Sequence, residues 1–329
     1  MNRRELIALL GGATAWPLAA RAQQARQVRH IGVFLGLAES ADDPGADEIL
    51  RPFKAAMQEA GWVEGKNVHS DYRFGGGHLA RINAAAAELV ALTPELIYAT
   101  GLPPVQALRQ RTRTIPIVFS LVADPVGLGL IESLSHPGGN VTGFIVWDLS
   151  IGGKWMQLLQ EIAPDLRQIG IMYNPDTAPY APPLIASAQA AARDATVLEC
   201  ATRNDSEIEA AASLLGNGPN GGLLILPEPF TNAHREQIIV QTARFRVPTL
   251  NPVFGAAHRG ALISYTYAFD VMMRQPATYI DRILRGESPR NLPVQAPTKY
   301  VLSINLQVAR TLGLTVPATL LARADEVIE

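Results

Sequence analysis

From Arg29 onward, short β-branched runs alternate with Ala- and Leu-rich stretches long enough for helices. That alternation constrains the fold more than any other feature. Strands separated by helical stretches cannot pair as tight hairpins, so they line up in parallel with helices over both faces of the sheet. In a first series, Ile31 to Leu35 reads as a strand, Asp47 to Ala60 as a helix closed by Gly61 as its left-handed cap, and Asn67 to Tyr72 as a second strand. The helix Leu79 to Ala91 follows, then strands Leu96 to Ala99 and Ile115 to Phe119 around the helix Val105 to Arg111. Val126 to Leu134 reads as one more helix before the stretch Val141 to Val146.

A second series repeats the rhythm, with helix Lys154 to Ile162, strand Ile169 to Tyr173, helix Leu184 to Arg193 and strand Thr196 to Cys200. Helix Ser206 to Leu215, strand Leu223 to Leu226, helix Ala233 to Phe245 and strand Val247 to Leu250 complete it. Ala261 to Tyr265, Met272 to Arg285, Tyr300 to Asn305 and Leu306 to Leu312 then read as strand, helix, strand and helix. The expected fold is α/β: two doubly wound parallel-sheet halves, 29–142 and 147–262, followed by a tail that belongs to both.

The N-terminus predicts export. Arg3-Arg4 precedes a short apolar run from Leu6 to Leu18, and the segment closes on Ala20-Arg21-Ala22, an A-x-A cleavage pattern. The run is too short to span a bilayer, and nothing later in the chain is long enough either. The paired arginines fit the twin-arginine route, with Glu5-Leu6-Ile7 a loose match to that pattern, and general secretion is the alternative. The expected mature chain starts at Gln23, in the periplasm. Three arginines and one glutamate leave with the leader, so the formal charge of −2 becomes −4. That mild acidity argues against a nucleic-acid partner. Cys200 is the single cysteine, which excludes an internal disulfide, and none stands at the cleavage site to carry a lipid. The mature chain is therefore expected to stay out of the membrane.

Signatures of catalysis are missing. The six histidines show no H-E-x-x-H spacing, and no serine stands in G-x-S-x-G. Gly127-Leu128-Gly129 lacks the third glycine of a dinucleotide loop, and Gly75-Gly76-Gly77 runs into His78-Leu79 without the Lys-Ser/Thr of a phosphate loop. No catalytic residue, metal or cofactor is expected. What stands out instead is a series of small, polar, Pro-marked turns at the carboxyl ends of strands, the edge where open α/β sheets bind ligands. Thr100-Gly101-Leu102-Pro103 opens a helix and could seat a carboxylate, or be a plain capping turn. Asp124-Pro125 could hold an ammonium group, and equally fits an N-cap followed by proline at N1. Asn174-Pro175 and Pro227-Glu228-Pro229 occupy the corresponding ends in the second half.

Longer motifs carry a resemblance. Gly61-Trp62-Val63-Glu64-Gly65-Lys66-Asn67-Val68, Thr114-Ile115-Pro116-Ile117-Val118-Phe119, Ala123-Asp124-Pro125-Val126 and His136-Pro137-Gly138-Gly139-Asn140-Val141-Thr142-Gly143 are joined late in the chain by Ile280-Asp281-Arg282-Ile283-Leu284-Arg285-Gly286, Gln295-Ala296-Pro297-Thr298-Lys299-Tyr300 and Ala322-Arg323-Ala324-Asp325-Glu326-Val327-Ile328-Glu329. Together they resemble the ABC-transporter substrate-binding proteins related to the bacterial tryptophan- and tyrosine-binding proteins, of the type I periplasmic-binding fold. Gly101-Leu102-Pro103 stands where similar sequences have Gly-Thr-Pro, and Arg259-Gly260-Ala261 replaces a double glycine.

The resemblance implies two lobes joined by crossing segments near 141–146, 264–266 and 297–299, with 267–297 returning to the first lobe and 300–315 to the second. It implies a small carboxylate-bearing solute, an amino acid or a similar molecule, held in a cleft and delivered to a membrane permease. The expected ligand-binding residues are Gly36, Thr100, Gly101, Leu102, Asp124, Thr142, Trp147, Asn174, Glu228, Phe254 and Tyr265. A sensor subunit using the same cleft is the second reading, and a two-domain α/β enzyme the third.

Overall fold

The computed structural model describes residues 28–329, so the expected leader and its cleavage site lie outside the described residues. The chain divides into two units: the first takes the chain up to Leu121, Leu130–Phe144 and Met273–Val294, the second Val122–Gly129, Ile145–Met272 and Gln295–Glu329.

Unit 1 is built from β1 (Arg29–Leu35), α1 (Pro44–Glu59), β2 (Val68–Phe74), α2 (Leu79–Ala91), β3 (Leu96–Thr100), α3 (Leu102–Arg111), β4 (Ile117–Val122) and β5 (Val141–Ile145). Local chemistry explains the starts and stops. Asp43 caps α1 by accepting from Gly45 N, Pro44 fills N1, and beyond Ala60 the chain turns through Gly61 at φ +92°. The sheet order is β2-β1-β3-β4-β5, with β1 parallel to both β2 and β3. Strand order therefore reverses between β1 and β3, and their carboxyl ends flank the crevice that such a reversal opens. Ile31, Val33 and Leu35 of β1 pack with Leu50, Phe53 and Met57 of α1 in a core that also takes in Ala277, Tyr279, Ile280 and Leu284 from far along the chain. Phe53 stacks on Tyr98 at 4.7 Å, and Phe144 packs tilted against Tyr279 at the same distance.

Unit 2 contains α4 (Ile151–Ile162), β6 (Gln168–Tyr173), α5 (Ala181–Ala191), β7 (Thr196–Ala201), α6 (Asp205–Asn217), β8 (Gly221–Ile225), α7 (Pro229–Ala233), α8 (Arg235–Arg244), β9 (Thr249–Leu250) and β10 (Ile263–Tyr267). The helix α9 (Phe269–Leu284) leads into unit 1, and β11 (Tyr300–Asn305), α10 (Leu306–Leu312), α11 (Ala318–Leu321) and β12 (Glu326–Ile328) finish unit 2. Its sheet runs β12-β11-β10-β9-β8-β6-β7. Pairing is parallel except between β10 and β11. The reversal here falls between β6 and β8.

Three expectations are corrected. Val126 to Leu134 is a chain of turns rather than a helix, because Asp124 sits at φ +43°, outside the extended conformation of an N-cap, and Gly129 is left-handed at φ +66°. The helix expected over Ala233 to Phe245 is interrupted at His234, since the Glu228 cap starts a separate short helix at Pro229. Of the strand Val247 to Leu250 only Thr249–Leu250 is paired as strand; Pro248 has no N–H to give a ladder.

Candidate functional site

In unit 1 the residues at the carboxyl ends of β1 and β3 lock together. A side chain on Gly36 would meet Pro104 Cγ at 2.7 Å and the Thr100 carbonyl at 2.8 Å, so only glycine lets β1 pass this close to the start of α3. The Gly36 N–H donates to Thr100 Oγ1 at 3.3 Å, which leaves the proton of that buried hydroxyl to give away. Gly101, at φ +84°, donates its N–H to the Ser120 carbonyl at 2.9 Å, so this N–H is already engaged. Pro103 and Pro104 have none. Of the orphan donors at the start of α3, the Leu102 N–H is the one that remains, at the positive end of the helix. Thr142 is fully buried in β5 and donates to the Leu292 carbonyl at 2.6 Å, a structural tie.

Unit 2 brings together Trp147, Asn174 and Glu228, through two residues that sequence reasoning missed. Asn174 is buried and forms a turn, its Oδ1 accepting from Asp176 N at 2.9 Å and its carbonyl from Thr177 N at 3.2 Å. Thr177 in turn donates its hydroxyl to Glu228 Oε2 at 2.5 Å. Glu228 is buried and caps α7: Phe230 N donates to Oε2 at 2.7 Å and Thr231 N to Oε1 at 2.8 Å. Three of about four lone-pair positions on the carboxylate are thus filled. Tyr180 donates to the Pro227 carbonyl at 3.0 Å, and burial pushes its hydroxyl pKa upward.

Trp147 packs near Tyr180, with ring centroids 6.3 Å apart, and edge-on against Trp155 at 5.7 Å. The Trp155 indole donates to the Tyr265 carbonyl at 2.9 Å, while the Trp147 indole N–H is buried with no partner among the described residues. A buried donor left unpaired costs about 1–3 kcal/mol, so it is poised for an acceptor. Tyr265 stacks on Tyr300 at 5.1 Å. Phe254 belongs to another aromatic group, exposed and stacked on Phe269 at 5.6 Å. Asp124 accepts from Gly127 N at 2.8 Å, holding a turn where a helix cap was expected.

Thr177 and Tyr180 both lie in the loop Pro175 to Pro183; its one aromatic residue, Tyr180, was the signal available. The one hydroxyl–carboxylate contact among them, Thr177 to Glu228, belongs to a carboxylate already engaged by two helix N–H groups as a cap. The arrangement offers hydrogen-bond donors, carboxylates and aromatic faces, which suits binding.

Residues 35–328 match the family model described as ABC transporter substrate binding protein. The chain belongs to this family. A tyrosine-binding protein from Clostridioides difficile is 25% identical to this substrate-binding protein over 287 residues, 85% of this chain and 81% of that one. Among solved structures, a conserved domain protein from Vibrio cholerae has a TM-score of 0.80 at 29% identity, covering 92% of this chain and 100% of that one. The ABC domain from Streptococcus pneumonia in complex with L-Trp also has a TM-score of 0.80, at 22% identity and with 92% and 100% coverage, and shows the same fold. The neighbours have the type I periplasmic-binding fold. The family is one of substrate-binding proteins, not enzymes. No helix among the described residues is long and apolar enough to cross a membrane.

Proposed function

We propose that this protein is the exported solute-binding component of an ABC importer and that its solute is an amino acid with an aromatic side chain. The observation that carries the reading is the buried Trp147 indole N–H, without an acceptor among the described residues, in an aromatic cluster beside the Glu228 turn. The relative named for tyrosine binding supports the same class. In this reading the Thr100 hydroxyl and the Leu102 N–H receive the solute carboxylate. Asp124 and the remaining lone pair of Glu228 meet the ammonium group, and Trp147 and Tyr265 contribute aromatic faces. The segments 141–146, 264–266 and 297–299 serve as hinges. A solute that binds one conformation better than another shifts the population toward it, which gives a permease a state to read.

L-Tyrosine or L-tryptophan at about 100 times its Kd should stabilise the protein by roughly 2.7 kcal/mol, seen as a rise in melting temperature. Trp147→Phe keeps the aromatic surface and removes the donor. It should weaken binding by about fivefold, the value of an ordinary hydrogen bond of about 1 kcal/mol, measured by calorimetry. If no aromatic amino acid shifts the melting curve, the solute class is wrong; if Trp147→Phe binds as the parent does, the indole plays no part. Export is tested separately. N-terminal sequencing of the exported chain should begin at Gln23, and recovery of Met1 would overturn cleavage after Ala22.

A further inference from the structure

We propose that His30, His69 and Asp71 form a binding site for a late first-row divalent metal ion, Zn2+ being the type case, at the amino ends of β1 and β2. These are the opposite ends of the strands from Gly36 and Thr100. In the parallel register His30 pairs with His69, which sets the two imidazoles side by side, and Asp71, two residues further along β2, projects from the same face.

The donor atoms converge. His30 Nε2 is hydrogen-bonded to Asp71 Oδ2, His69 Nε2 lies 3.9 Å from that same oxygen, and the three ligand atoms are all within 4.8 Å of one another. Tetrahedral zinc with bonds of about 2.0–2.2 Å places its donors roughly 3.4 Å apart, so side-chain shifts of the order of 1 Å bring these three into place. All three are partly exposed, with room for a fourth ligand from solvent.

The surroundings of His69 distinguish the cluster from an ordinary His–Asp ion pair, which needs only one imidazole. His69 Nδ1 is 3.4 Å from Glu64 Oε1, and Glu64 is itself held by Ser70, whose N–H donates to Oε1 at 2.9 Å and whose hydroxyl donates to Oε2 at 2.6 Å. A carboxylate near Nδ1 favours the imidazole proton on that side, with Nε2 facing Asp71 and His30. Glu64 is thus a positioning residue. Two imidazoles and a carboxylate suit zinc or copper better than calcium or magnesium.

The test is titration of the metal-stripped mature chain with ZnCl2 by calorimetry, with Co2+ as a spectroscopic probe. One Zn2+ per chain is expected, along with visible Co2+ absorption of four-coordinate intensity. His69→Ala and Asp71→Asn should each weaken Zn2+ binding at least tenfold, roughly the size of such losses around metal sites, and abolish the Co2+ band. His69 is mostly exposed, so its variant should fold even where His30→Ala does not. No Zn2+ binding by the folded parent, or unchanged binding in His69→Ala, overturns the proposal.

Discussion

Gly143→Ala should lower the melting temperature by about 8–16 °C, the largest loss expected from adding a single methyl group to this protein. A Cβ at this position would lie 2.2 Å from the Phe119 carbonyl oxygen and 2.6 Å from the Phe119 nitrogen, and the glycine has φ +155°. The obstacle is the backbone of β4, not the tip of a flexible side chain. Relief requires β4 and β5 to separate in a sheet whose neighbouring side chains, Phe119 and Phe144, are buried. Overpacking costs about 1–3 kcal/mol and an unfavourable φ about 1–3 kcal/mol more, giving roughly 4 kcal/mol. At about 2–4 °C per kcal/mol for a unit of this size, the quoted range follows. Gly61→Ala is the control. Gly61 is at φ +92°, and a methyl group added there would meet nothing within 4 Å, so it isolates the backbone cost and should lose only about 1 kcal/mol. Equal effects in differential scanning calorimetry would show that the contact with Phe119 is not what matters.

Glu228→Ala should destabilise the protein by about 3 kcal/mol, or roughly 6–12 °C in melting temperature. The carboxylate accepts from Thr177 Oγ1, Phe230 N and Thr231 N, so its removal leaves a hydroxyl and two helix N–H groups without acceptors. Hydrogen bonds to a charged group contribute about 1.5–3 kcal/mol each, and a lost N-cap alone costs about 0.5–2 kcal/mol; water entering the vacated space offsets part of the sum. Glu228→Gln keeps one carbonyl oxygen and should lose less than half as much. That variant also separates structure from binding. If Glu228 meets the ammonium group of the solute, folded Glu228→Gln should bind about thirtyfold more weakly, corresponding to about 2 kcal/mol for one partner of a desolvated charge pair. Normal binding with lowered stability would leave Glu228 as a cap and nothing more.

The parallel α/β architecture was legible because period and composition act locally: β-branched runs made strands, and Ala-rich stretches made helices. The same locality explains the errors. Asp124-Pro125 carries an N-cap and N1 signature, yet Asp124 adopts a left-handed backbone and closes a turn onto Gly127. Strand-end position pointed to Thr100, Asn174 and Glu228, but the sequence does not reveal that the Gly101 N–H is engaged by Ser120 or that Thr177 and Tyr180 link the unit 2 residues. The histidine cluster was invisible for a related reason. Motif spacing detects ligands on one helix or loop, whereas His30 and His69 meet through the register of separate strands.

The division of the chain has a consequence for how the protein is made. Unit 1 completes its core with Ala277, Tyr279, Ile280, Leu284 and Leu292, and the edge of the unit 2 sheet is Glu326–Ile328. A continuous N-terminal domain can fold on the ribosome while the rest is still being synthesised. Here a nascent chain that stops short of α9 would hold neither domain complete: one would lack a buried helix and the other its last two strands. Completion of both units is thereby deferred until synthesis is almost finished.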